Sequence, residues 1–109
     1  MFSPDIFDVM QDSPPDEEHF CILVQVLIGT DPADHIADTF SVLVCSPDQL
    51  VHHIPNKGFL SGRGYLFLQR WDSDLVRMVI EKWCEKSTAS SWEEVVKKLC
   101  CYMDWEYDT

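Results

Sequence analysis

Between Phe20 and Ile28 the chain is apolar at every position except Gln25. A run so dense, rich in β-branched types, predicts a central strand covered on both faces, and Gly29 ends it. A second run, Phe40 to Cys45, predicts another strand. Ser46-Pro47-Asp48 follows it with a capping hydroxyl, a proline suited to the first helical position and an acid for the positive end of the helix dipole. A short helix from Pro47 to about Ile54 is therefore expected. Three of the four glycines fall within residues 55–64, which reads as a loop, and Tyr65 to Arg70 gives a third strand. From Asp72 or Ser73 to about Lys86, the apolar residues Leu75, Val76, Val79, Ile80, Trp83 and Cys84 recur at the spacing of one helix face. Ser91 and Glu94 have capping-box form and open a second stripe, Trp92, Val95, Val96, Leu99, Cys100 and Met103, predicting a helix that ends near Tyr102. Asp104 to Tyr107 alternates polar and aromatic residues and reads as a short edge strand. At the other end Ser3-Pro4-Asp5 reads as the cap of one helical turn that Pro14-Pro15 stops. The expected fold is α+β: a small, mostly antiparallel sheet of three to five strands, two long C-terminal helices, and a short helix after the second central strand.

The length of 109 residues fits one domain, 1–109, whose first 19 residues form an acidic, proline-containing segment. No apolar run approaches the roughly 20 residues that span a bilayer, and Met1-Phe2-Ser3-Pro4-Asp5 lacks the basic start of a signal peptide. A cytoplasmic protein is expected, with its five cysteines reduced. Charge changes the picture most. Every Lys and Arg lies at or beyond Lys57, whereas residues 1–56 hold ten acids and residues 57–109 nine acids against eight bases. The net charge of −11 thus divides into −10 and −1. Such a field attracts a cationic macromolecule and repels nucleic acid and anionic lipid, so no direct nucleic-acid or membrane partner is expected. High charge also favours a free monomer.

Catalytic and metal signatures are weak. The cysteines and histidines form no Cys-x-x-Cys and no His-x-x-x-His pair, so no metal is expected. A small hydrolase pairing Cys45 or Cys101 with His52 has no recognisable orienting residue, and it predicts a thiolate that alkylates rapidly near neutral pH. Gly58, Gly62 and Gly64 match neither a P-loop nor a dinucleotide fingerprint. No catalytic residue and no cofactor are assigned.

The acids fall into three groups. Asp16-Glu17-Glu18, after Pro14-Pro15, reads as a solvated linker, and Glu81, Glu85, Glu93 and Glu94 are interleaved with lysines as on solvated helix faces. Asp31, Asp34 and Asp38 lie between the first two central strands, and Asp48 heads the short helix. Loops mounted on a rigid sheet commonly carry recognition, so these four are the expected contact residues.

Ser3-Pro4-Asp5-Ile6, the strand ending Ile28-Gly29, Phe40-Ser41-Val42-Leu43-Val44-Cys45-Ser46-Pro47 with Leu50, Gly64-Tyr65-Leu66-Phe67-Leu68, the helix with Cys84, and Trp92-Glu93-Glu94 come in an order that resembles the immunity protein 8 family of bacterial polymorphic-toxin and contact-dependent inhibition systems. The resemblance covers about residues 3 to 107. It departs from the family pattern in the loop from Thr30 to Asp38 and at Gln49 before Leu50, where a surface is tuned to its partner. The resemblance implies a non-enzymatic α+β protein that binds and blocks the C-terminal domain of a cognate toxin in the cytoplasm. With the charge argument it suggests a basic nuclease as target, engaged by Asp31, Asp34, Asp38 and Asp48. An adaptor that uses the same acids on another basic protein is the alternative.

Overall fold

In the computed structural model, residues 1–30, 37–54 and 58–107 are described. Strands β1 (Asp5–Met10), β2 (Cys21–Gly29) and β3 (Ala37–Cys45) form an antiparallel meander. A 3-10 turn (Pro47–Gln49) leads into the single-turn helix α1 (Leu50–His53), and the chain returns as β4 (Tyr65–Phe67), parallel to β3. Helices α2 (Ser73–Glu85) and α3 (Trp92–Leu99) follow, and β5 (Asp104–Trp105) closes antiparallel on β3 at Phe40 and Ser41. The far edge of β3 is thus shared, β4 pairing with its C-terminal half and β5 with its N-terminal half. This is the expected α+β fold with five strands.

The core lies on one face of the sheet only. Val24, Val26 and Ile28 of β2 and Phe40, Val42 and Val44 of β3 share one face, with Val24 opposite Val42 and Val26 opposite Phe40, and are fully buried against Val76, Ile80, Val95, Leu99 and Met103. Alternation sends Leu23, Gln25 and Leu27 to the opposite face, where Leu23 remains 52% exposed. The expectation that β2 is covered on both faces is corrected accordingly: both long helices pack on the same side. A sheet of this build needs only period-two burial, and the outward apolar residues of β2 are surplus to the core.

The N-terminal segment is also corrected, being a strand where a helical turn was expected. Its residues Ile6, Phe7 and Val9 are β-formers, and pairing with β2 satisfies the backbone more completely than one isolated turn can. A register shift between Ile6 and Asp8 lets both Ile6 and Val9 reach the core.

Local chemistry sets the helix starts. Asp72 accepts from the amides of Asp74 and Leu75 at 3.0 and 3.1 Å, and Ser91 accepts from that of Glu94 at 3.2 Å. The reciprocal half of the capping box is missing, because the Glu94 carboxylate takes the Ser90 hydroxyl at 3.0 Å. Helix α3 stops at Leu99, short of the expected Tyr102, and a chain of tighter turns carries on to Met103. There Arg63 donates to the carbonyls of Cys100 and Met103, each at 3.2 Å, and pairs with Asp104 at 3.1 Å. β4 likewise ends at Phe67 and not at Arg70.

Candidate partner-binding surface

Of the four expected contact acids, Asp31 and Asp34 lie outside the described residues. Asp38 ends up half-buried at the start of β3, where its Oδ2 accepts from two indoles, Trp92 Nε1 at 3.2 Å and Trp105 Nε1 at 3.1 Å. One carboxylate oxygen therefore ties β3 to the first residue of α3 and to β5.

Asp48 is the most solvent-facing of the described pair, its side chain 44% exposed. Its Oδ2 lies 3.1 Å from His19 Nδ1 and accepts from Gln49 Nε2 at 3.2 Å. A hydrogen bond from the Ser46 hydroxyl, outweighing partial desolvation and reinforced by His19 and Gln49, holds its carboxyl at about 2. Asp48 in turn raises the pKa of His19, first by the hydrogen bond and then by its charge. Asp48 is thus a firmly ionised acid at neutral pH.

Ser46 does not cap the following turn as expected. Fully buried, its Oγ instead accepts from the Phe20 amide at 3.0 Å and lies 3.3 Å from the Phe20 carbonyl. The hydroxyl has one proton, so the Phe20 carbonyl and the Asp48 carboxylate compete for it. The result is a clamp between the start of β2 and the end of β3, which also aims Asp48 outward.

The segment Asp16-Glu17-Glu18 is solvent-exposed, as expected of a solvated linker, but is tied to its neighbours by hydrogen bonds and ion pairs. Asp16 accepts from the amides of Glu18 and His19, Glu17 and Glu18 both reach Arg70, at 2.8 and 3.5 Å, and the Trp71 amide donates to the Glu17 carbonyl. The helix acids behave as expected, exposed and locally paired, as in Arg77 with Glu81 at 3.0 Å.

Sequence reasoning missed the open sheet face itself. By strand alternation and register it carries Asp8 and Met10 of β1, Leu23, Gln25 and Leu27 of β2, Leu43 of β3, and Tyr65 and Phe67 of β4. Met10, Leu23 and Phe67 are exposed, and so are Val51 and Phe59 in the β3–β4 connection, at 72% and 66%. Asp12 borders the same face in a shallow depression with Met10, Leu23 and Gln25. The available signal was the excess of apolar residues in β2 over what one core face can bury.

The thiols are arranged differently from a Cys-His nucleophile. Cys45 is fully buried beside Cys21, with Sγ atoms 2.9 Å apart, and burial followed by the Cys21 contact pushes its pKa up to about 12. The histidine that reaches this pair is half-buried His53, while His52 is exposed. A thiol held protonated is the reverse of an activated nucleophile.

The described residues thus form a five-stranded α+β fold whose sheet is covered by both long helices on one face and is largely open on the other. The family model for immunity protein 8 matches residues 3–109, nearly the whole chain, and the chain belongs to that family. It is an immunity protein, acting against a toxin. None of the curated proteins and none of the solved structures matches it. No described helix is long and apolar enough to cross a membrane.

Proposed function

We propose that this immunity protein neutralises a cationic toxin domain of the nuclease class in the cytoplasm, as a monomer when free, by occupying the toxin's phosphate-binding cleft with an acidic surface. The observation that carries this reading is the charge division, ten acids and no Lys or Arg through residue 56. Nuclease clefts are basic because they bind a polyanion, and an acidic protein surface competes for the same field. Asp31, Asp34, Asp38 and Asp48 are the leading contacts in this reading, Asp38 sharing one oxygen with Trp92 and Trp105. The open sheet face supplies apolar area of the kind that forms the dry centre of an interface, with Asp8 on it and Asp12 at its border.

The test is coexpression with the product of the neighbouring toxin gene, followed by binding kinetics of the Asp31→Asn, Asp34→Asn, Asp48→Asn triple variant. Asp38 is left intact so that folding and binding are not confounded. The association rate should fall at least tenfold at low salt, and the difference should shrink as salt is raised. An unchanged rate and affinity at low salt would refute the electrostatic assignment, and a toxin with no basic cleft would refute the nuclease class.

A further inference from the structure

We infer that Cys21, Cys45 and His53 form a binding site for a single thiophilic transition-metal ion, with Zn²⁺ as its representative. The trio joins the first residue of β2, the last residue of β3 and the last residue of α1, positions that no spacing motif connects. Yet the two Sγ atoms and a ring nitrogen of His53 all lie within 4.8 Å of one another. Two thiolates about 2.3 Å and an imidazole about 2.0 Å from a tetrahedral zinc stand roughly 3.5–3.8 Å apart, inside that limit. The sulfurs, now 2.9 Å apart, need to separate by less than about 1 Å to meet those bond lengths.

Cys21 and Cys45 are directly opposed in the β2–β3 ladder, so their frame is rigid. Cys45 is fully buried but stands outside the main apolar cluster, pointing to the opposite face of the sheet from Val44. It is thus buried on the face opposite the main core. A buried thiol facing a second thiol and a half-buried imidazole is a donor set of two soft sulfurs and one nitrogen, which selects zinc or copper(I) over magnesium or calcium. Uptake of the ion releases the two thiol protons to solvent, and the neutral imidazole contributes its lone pair. Three protein ligands leave a fourth position for water or for a group from a partner. The Tyr65 ring of β4 stands edge-on to the His53 imidazole, 6.0 Å between centroids. An ion here would fasten α1 to the sheet directly behind the turn that carries Asp48.

The experiment is a titration of the reduced full-length chain with Co²⁺ alone under anaerobic conditions, followed by back-titration with Zn²⁺. The expected result is a saturable thiolate-to-cobalt charge-transfer band at one equivalent, bleached by Zn²⁺. Cys101→Ser, an exposed thiol remote from the trio in sequence, should retain it, and Cys21→Ser should abolish it. His53→Ala, in a partly exposed single turn, should weaken Co²⁺ at least tenfold with an unchanged circular dichroism spectrum. Absence of the band, its survival in Cys21→Ser, its loss in Cys101→Ser, or equal affinity in His53→Ala would each overturn the assignment. None of these readouts involves a toxin, so they stand apart from the proposed function.

Discussion

Replacing Asp38 with alanine should destabilise the protein through two indoles at once. Trp92 and Trp105 each donate to the same carboxylate oxygen, at 3.2 and 3.1 Å, from opposite sides of the junction between β3, α3 and β5. A hydrogen bond to a charged group contributes about 1.5–3 kcal/mol, and both indoles are only half-buried, so the two bonds together are expected to be worth about 2–4 kcal/mol. Asp38→Asn keeps an acceptor oxygen but exchanges charge-assisted bonds for neutral ones, and should cost about half as much, roughly 1–2 kcal/mol. Against a total stability of about 5–15 kcal/mol for a domain of this size, the alanine variant loses a substantial share.

Urea unfolding followed in parallel by tryptophan fluorescence and circular dichroism measures both values. The midpoint should fall in the order parent, Asp38→Asn, Asp38→Ala, with altered indole emission in the alanine variant before any unfolding. An alanine variant within about 0.5 kcal/mol of the parent, with unchanged emission, would refute the reasoning, since a solvated carboxylate would behave in that way. The result also governs how binding data are read, because neutralising Asp38 alongside other acids would mix a folding defect with an electrostatic one.

Gly64 has φ +86°, and a Cβ there would meet the Asp104 carboxylate at 2.9 Å, so Gly64→Ala should cost about 1–3 kcal/mol, while Gly62→Ala, with nothing within 4 Å, should be close to neutral in the same melt. Ser46→Ala strips the buried Phe20 amide of its acceptor and should lose about 1–3 kcal/mol by urea titration; a neutral result would show that the clamp is dispensable. Alkylation followed by mass mapping should modify exposed Cys101 first and leave Cys45 and Cys84, both pushed up to about 12 chiefly by burial, protected until the chain opens; rapid labelling of Cys45 would contradict the buried-thiol reading. For the His19–Asp48 pair the signs oppose: the depressed Asp48 pKa gives stability present above its ordinary 3.8 and lost as pH falls toward about 2, while the raised His19 pKa gives stability present below its ordinary 6.5 and lost as pH rises through the higher folded value. NMR titration of His19 should therefore show a pKa that drops toward 6.5 in Asp48→Asn, and an identical titration in both proteins would remove the interaction.

Most of the fold was legible because period and capping agree. The stripes from Leu75 to Cys84 and from Trp92 to Leu99 located α2 and α3, and Asp72 and Ser91 cap them as their positions suggest. The misreadings share a cause, which is that a tertiary partner decided a locally ambiguous segment. Residues 5–10 became a strand because β2 offers an edge, and Ser46 turned from the helix start toward Phe20 because β2 and β3 bring them together. Arg63, in the glycine-rich loop, closes the end of α3, a pairing across 37 residues that no local pattern encodes. For the candidate contact acids the sequence carried charge but not geometry: it singled out Asp38 and Asp48 alike, and could not show that Asp38 faces two indoles while Asp48 faces solvent.

That division bears on how one small sheet can serve both stability and recognition. The residues that hold β3, Asp38 at its start and the Ser46 clamp just past its end, are polar groups satisfied by long-range partners, so the strand is fixed at both ends without drawing on its outward face. Leu23, Phe67 and Met10 are then free of any duty to the core and can be exchanged at little cost in folding. The turn after β3 inherits the same freedom, since β3 is anchored independently of it. In a protein whose family acts against toxins, this separation leaves outward residues open to exchange while the scaffold stays constant, as partner-specific tuning of a surface requires.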